Sequence, residues 1–281
     1  MVIRLRIESG EVAGPRIFTT GVGLVKKDGT PFYVKPLFLP ELLSPEQATA
    51  IVRARLRDGA DGIKVFSGSA GVPGAMPLEL VKAVSAEVHR QRKCVFAHPS
   101  HVAGLMAAVD GGVDVLTHTT PDDTRPWEAS LIARMKQARI ALTPTLKLWN
   151  FELDRAKAGE AAKRAFLSRA LEQLRAYSEA GGEILFGTDA GYMTEYDPAD
   201  EYRLMAEAGM SFPQILGSLT TAPARRFRAG YRTGTVAPGM EADLVVLGDD
   251  PAVDIRALAT VKYTVRQGKI IYRSDRTDRP R

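Results

Sequence analysis

The chain has 281 residues, 45 % apolar and 25 % charged, with one cysteine and a formal net charge of +5. That apolar fraction excludes intrinsic disorder, Cys94 alone excludes a disulfide scaffold, and no apolar run nears the roughly eighteen residues of a membrane span. The pI near 9.3 raises nucleic-acid binding, but residues 262–281 alone carry a surplus of +5, which leaves the remaining body neutral. The last eight residues, 274–281, read as a solvated tail, with a binding patch there the weaker reading. No aromatic-interleaved basic groove and no zinc-finger cysteine spacing supports nucleic-acid binding. Arg4 and Arg6 interrupt the first apolar stretch, so it does not read as a secretory signal. With a single cysteine, the expectation is a cytoplasmic location.

In chain order, residues 10–21 read as the end of a helix, a Gly-Pro turn and a strand over Ile17–Thr20. A Gly/Lys/Asp/Pro-rich loop follows, then a helix over 45–58 stopped by Gly59. DGIKVFSGS is a short buried strand. Pro77 opens a helix reaching His89, KCVFAHPS is a strand, and HVAGLMAAVDGG is a helix closed by two glycines. VDVLTHTTPDD is a strand, Pro126–Ala138 a helix, and IALTPTLKL a strand. A helix over Ala158–Ala180 stops at Gly181-Gly182. EILFGTDAG is a strand ending in a turn, with helices at Asp200–Ala208 and Phe212–Thr220 after it. Beyond Ala229 the composition shifts to short strands joined by Pro-Gly and Gly turns, a segment too thin to form a core alone.

Short, uniformly apolar strands separated by helices signal a parallel sheet, in either a (β/α) barrel or a doubly wound sheet. Polar residues favour the barrel. Lys64, His98, His118 and Asp189 each stand near the C-terminal end of a different strand, where a barrel gathers its chemistry. No glycine-rich first turn of the dinucleotide-binding kind is present. Imidazole and carboxylate are good ligands for zinc and related ions, and Asp189 could bind metal or take a proton from water. An ammonium on an apolar strand needs a partner, a lowered pKa or chemical modification. Each residue also has a plainer reading. His98 and His118 could be core or capping groups, Asp189 a turn former, Lys64 a side chain reaching solvent, and His101 a helix-start residue.

Several segments carry a family likeness: GPRI, GADGIKVF, GGVDVLTHTTP, LTPT, ILFGTDAG, LTTAPARRF, GTVAPGMEADLVVLGDDP and VRQGKIIY. In these the chain, to about residue 273, resembles the metal-dependent amidohydrolase superfamily, in its imidazolonepropionase-like and prolidase-like branch. The resemblance implies an α/β fold of the TIM-barrel (β/α)8 type over 1–229, with a C-terminal β segment of a composite sandwich over 230–273. It implies metal ligation by Lys64, His98, His118 and Asp189, with one or two divalent ions, zinc by default. It further implies a carboxylated Lys64 bridging the ions, and Asp189 as the catalytic proton carrier. Tyr192, Lys147 and His101 stand near strand ends as substrate-binding candidates.

The chain departs from the family pattern in one respect. It contains no His-x-His, the pair that closes the family's first barrel strand. The family layout places Met1 after barrel strand two, leaving about six of eight strands (strands 3–8) and pointing to a truncated or mis-started reading frame. Such an opening would expose strand edges and invites a homo-oligomer or a complementing chain. The implied activity is metal-assisted hydrolysis of a C–N bond in a small amide, cyclic amide or dipeptide, with little or no turnover in this sequence. The alternative is a non-catalytic fragment or subunit that needs a partner chain.

Overall fold

A computed structural model describes residues 2–274; the last seven residues of the expected basic tail lie outside the described residues. Helix α1 (Val2–Glu8) is followed by β1 (Val25–Lys26), β2 (Glu41–Leu42) and α2 (Pro45–Arg57). Then come β3 (Gly62–Phe66), α3 (Leu78–Arg90), β4 (Cys94–His98), α4 (Val102–Asp110), β5 (Val115–Thr117) and α5 (Ala129–Gln137). Next are β6 (Ala141–Thr143), α6 (Leu146–Arg155), α7 (Glu160–Glu179) and β7 (Glu183–Ile184). Helices α8 (Ala199–Glu207), α9 (Phe212–Leu219) and α10 (Thr221–Arg226) complete the body.

Strands β3 to β7 form one parallel sheet in sequential order. Its edge is extended by Leu24, which bridges Val65 in parallel, while β1 pairs with β2. The arrangement is an open α/β sheet consistent with an incomplete (β/α)8 barrel. Local chemistry accounts for the helices. Ser44 caps α2 by accepting from Gln47 N (3.2 Å), Pro45 sits where no N–H bond is needed, and Gly59 (φ 96°) takes the left-handed stop.

One face of the sheet packs on the helices through a continuous apolar core that includes Ile63, Val65, Val95, Leu116, Leu142 and Leu174. Because side chains alternate along a strand, Lys64, Phe96 and Val115 project from the opposite face. Its lower half is apolar, with Val115, Ala141, Leu185 and Ala222 against Phe96. Its upper half carries the polar groups.

The C-terminal segment is a three-stranded antiparallel sheet, order β10-β9-β8, of β8 (Leu244–Leu247), β9 (Val261–Arg266) and β10 (Lys269–Arg273). It leans on the body, as its thinness requires. Leu258 is buried in the main core, Arg16 binds Glu241 (2.8 Å), and Arg266 binds Glu8 (2.8 Å).

Two expected strands differ from the structure. Ile17–Thr20 forms no strand; the pairing moves on to Leu24–Lys26, because Gly21 (φ 66°) turns the chain before it joins the sheet. The run IALTPTLKL is a strand only to Thr143. Pro144 cannot donate to a ladder, and Leu146 begins a helix.

Gly104 in α4 lies where the helix meets the β3 and β4 loops. An added Cβ would stand 2.1 Å from the Pro99 carbonyl oxygen and 2.9 Å from Gly68 Cα. Both neighbours are backbone and cannot swing aside. Gly104→Ala is expected to lower stability by about 3 kcal/mol or more, while Gly159→Ala, with nothing within 4 Å, shifts it by less than about 1 kcal/mol. Urea unfolding of the two variants checks this.

Candidate functional site

At the C-terminal end of the sheet, His98 closes β4 and His118 stands one residue beyond β5, their ring centroids 4.6 Å apart. Lys64 is the third residue of β3 rather than its end. Its Nζ donates to Thr117 Oγ1 (2.7 Å), and that hydroxyl passes its own proton to the Ala97 carbonyl (3.1 Å). Asp189 follows β7 in the GTD turn and shares an electrostatic interaction with Lys64. Four strands thus bring together Lys64, His98, His118 and Asp189.

The backbone holding them is strained. His118 (φ 78°), Asp189 (φ 63°), Thr145 (φ 49°) and Ser100 (φ 48°) all adopt left-handed conformations just past strand ends. Such geometry costs a β-branched threonine most and persists only where surrounding contacts over-determine it. Those contacts are present. The Thr145 hydroxyl donates to the Pro144 carbonyl (2.8 Å), so it accepts from His118 Nδ1 (2.6 Å), leaving His118 Nε2 as the free lone pair. Trp149 Nε1 bonds Thr119 Oγ1, and Trp127 Nε1 bonds Thr120 Oγ1. Gln173 accepts from the Thr120 N–H and donates to the Thr120 carbonyl.

Burial governs the titration of the cluster. Desolvation pushes Lys64 down to about 8, with Asp189 opposing it. It holds His98 and His118 well below the ordinary imidazole range, reinforced by the Lys64 charge, so both are neutral near pH 7. Burial raises Asp189, Lys64 pulls it back, and Glu152 adds to the rise.

The substrate-binding candidates separate. Tyr192 stays near the cluster, bonded to Arg155 (2.9 Å) and edge-on to Tyr33 (5.5 Å). His101 is the N-cap of α4: its Nδ1 accepts from Gly104 N (3.0 Å), which is the plainer reading. Lys147 lies on α6 instead of a strand end, and its ammonium is buried on the Asp197 carbonyl (2.6 Å) and Glu195 (3.4 Å). It leaves the site.

The metal expectation is overturned. Among the described residues, no group of three or more His, Cys, Asp or Glu side chains is placed to hold a metal ion. Two imidazoles meet here, but no third donor of that kind completes a ligand set, so the residues present do not fit zinc or a pair of ions. The carboxylated form of Lys64 goes with it. No donor set for a pair of ions surrounds it among the described residues, and the amine serves as a hydrogen-bond donor to Thr117.

The residues alone did not point to Tyr33 or Glu201. Tyr33 comes from the loop before α2, packs 6.4 Å from His98, and has its phenol pushed strongly up, first by burial and then by Tyr192, Asp189 and Glu152. Glu201, on α8, is fully buried and caps α6: its Oε2 accepts from Lys147 N (2.7 Å) while Oε1 has no partner. It thereby supports the turn that carries Thr145. Neither position has a distinctive local pattern, because each reaches the site only through tertiary packing.

Comparison with known proteins gives a consistent family likeness. The model of the amidohydrolase family matches residues 2–271. The ochratoxinase of Aspergillus niger is 27 % identical over 297 aligned positions, covering 91 % of this chain and 59 % of that protein. An uncharacterised protein of Mycobacterium tuberculosis is 30 % identical over 232 positions, 76 % of this chain and again 59 % of the relative. The chain therefore spans about three fifths of the length of these curated relatives. Among solved structures, a Xaa-Pro dipeptidase with bound methionine in its active site superposes with a TM-score of 0.85 at 25 % identity, over 97 % of this chain and 72 % of that one.

Glu201 gives the site a pH signature in stability. Burial raises its carboxyl to about 7, against the lowering effect of the Lys147 and Leu146 N–H groups. A folded-state pKa above the unfolded value means that the folded protein binds more protons between them. Glu201's contribution is therefore full below about pH 4.5 and declines as pH rises through 7. Glu201→Gln keeps a capping oxygen but does not titrate. Thermal unfolding across pH 4.5–8 is expected to show the wild type losing stability relative to Glu201→Gln as pH rises; a constant difference would contradict it.

Proposed function

Since the chain belongs to the amidohydrolase family, we propose that the cluster at the C-terminal end of its sheet hydrolyses a C–N bond in a small amide, cyclic amide or dipeptide-like substrate. One observation carries this reading: four polar groups from four strands converge there on an otherwise apolar sheet, two of them on left-handed backbone. Strain and buried charge at one place are the marks of a working site rather than of a core.

Asp189, raised by burial, accepts the proton of the attacking water and returns it to the leaving nitrogen. Lys64 supplies positive charge for the oxygen of the carbonyl under attack, oriented by its bond to Thr117. His118, fixed by Thr145 with Nε2 free, accepts a hydrogen bond from water or substrate. Tyr33 and Tyr192, packed edge-on beside the cluster, offer hydroxyls to polar parts of the substrate. The Xaa-Pro dipeptidase similarity makes dipeptides the first substrates to try.

A second reading, a non-catalytic chain that keeps the fold and works with a partner, is favoured by the lack of a three-ligand group among the described residues.

The full-length chain, assayed against a panel of Xaa-Pro dipeptides and N-acyl amides, is expected to turn over at least one of them. Asp189→Asn should lower kcat/KM by about a hundredfold or more while the chain remains folded. The wild-type profile should rise as Asp189 ionises and fall above about pH 8 as Lys64 loses its proton. Absence of turnover across the panel would favour the second reading.

A further inference from the structure

A second crevice lies at the opposite, N-terminal end of the sheet, where Gly62 and Cys94 begin β3 and β4. It encloses about 510 Å³, a size suited to a small molecule. Phe18, Phe96 and Phe227 supply its apolar surface. Phe96 and Phe227 stack at 6.0 Å with 25° between ring planes, and Phe18 is 63 % exposed. Arg92, Lys93 and Arg228 supply charge.

Helices α2, α4, α7 and α8 each end on a left-handed glycine, at Gly59, Gly112, Gly181 and Gly209. That is the residue such a stop favours. Helices α3, α5, α6 and α10 instead place Arg92 (φ 57°), Arg139 (φ 54°), Lys157 (φ 53°) and Arg228 (φ 58°) in the same conformation, and of these Arg92 and Arg228 line this crevice. The backbone bonds of those stops, Arg92 N to His89 O and Arg228 N to Arg225 O, would form equally well with glycine. Two long cationic side chains thus stand at the crevice on backbone that glycine would also satisfy.

Their charges are not consumed locally. Asp61, the acid in the lining, is already held by Arg4 (2.6 Å) and by Thr19 N (2.8 Å). Arg226 is tied to Glu183 and Lys93 to the Ala60 carbonyl. Among the described residues, no carboxylate forms an ion pair with Arg92 or Arg228. Burial pushes the Cys94 thiol up to about 11 while Arg226 and Arg228 pull it the other way, so their positive field reaches into the crevice.

We propose that this crevice binds small organic anions with a flat apolar body, the body seated on Phe18, Phe96 and Phe227 and the anionic head on Arg92 and Arg228. The site is independent of the C–N hydrolase reading, since it shares no residue with that cluster.

Calorimetric titration of the full chain with phenyl phosphate tests this, with inorganic phosphate and benzyl alcohol as the two half-ligands. Phenyl phosphate is expected to bind saturably at one site, more tightly than either half. Arg92→Gly and Arg228→Gly should each weaken it by about tenfold while unfolding at the same or a higher temperature, because glycine relieves the left-handed strain. Arg139→Gly, outside this crevice, should leave the affinity unchanged. Should Arg92→Gly fail to fold, Arg92→Asn, which also tolerates positive φ, gives the same readout. No saturable binding, equal affinity for inorganic phosphate, or unchanged affinity in both arginine variants would each overturn the proposal.

Discussion

Lys64 projects from the middle of an apolar strand into the concave end of the sheet, and much of the site follows from how its charge is accommodated. An unpaired ammonium there would be costly. Thr117 on β5 receives its hydrogen bond and Asp189 beyond β7 supplies an opposing charge, so the cost is shared across the sheet. Burial, reinforced by the same positive charge, keeps His98 and His118 neutral, which lets two imidazoles stand 4.6 Å apart without repulsion. Parallel pairing makes the arrangement possible, since Lys64 pairs with Phe96 and Phe66 with His98 in a fixed register.

Around this cluster the backbone departs from regular geometry where the strands end. Thr145, a β-branched residue at φ 49°, opens α6 without a side-chain cap of its own. Glu201 from α8 takes over that duty, and the freed hydroxyl holds His118. The THTTP turn is fastened in the same manner by Trp127, Trp149 and Gln173. A rigid scaffold of helices therefore fixes side chains that the strands alone would leave poorly oriented.

Fold and donor set come apart in this chain. The amidohydrolase family model matches residues 2–271, and the parallel sheet with its C-terminal β segment is consistent with that family's fold. Yet the described residues do not assemble three metal-binding side chains. A fold tolerates wide change in its site, because the core that specifies it is built from other residues.

The sequence by itself determined the order of strands and helices, the parallel class and the strand-end positions of His98, His118 and Asp189. Apolar runs, glycine stops and proline starts are local signals that survive without tertiary context. Local pattern misplaced the strand at Ile17–Thr20 and extended the strand through Leu148, because the turns at Gly21 and Pro144 follow from where the chain must join or leave the sheet. Only the tertiary structure decided that Lys147 is tied up on Asp197, that His101 is a cap, that Tyr33 and Glu201 serve the site, and that the expected metal ligands fall short of a set. Each depends on contacts between residues far apart in the chain, and such contacts leave no mark on spacing or composition.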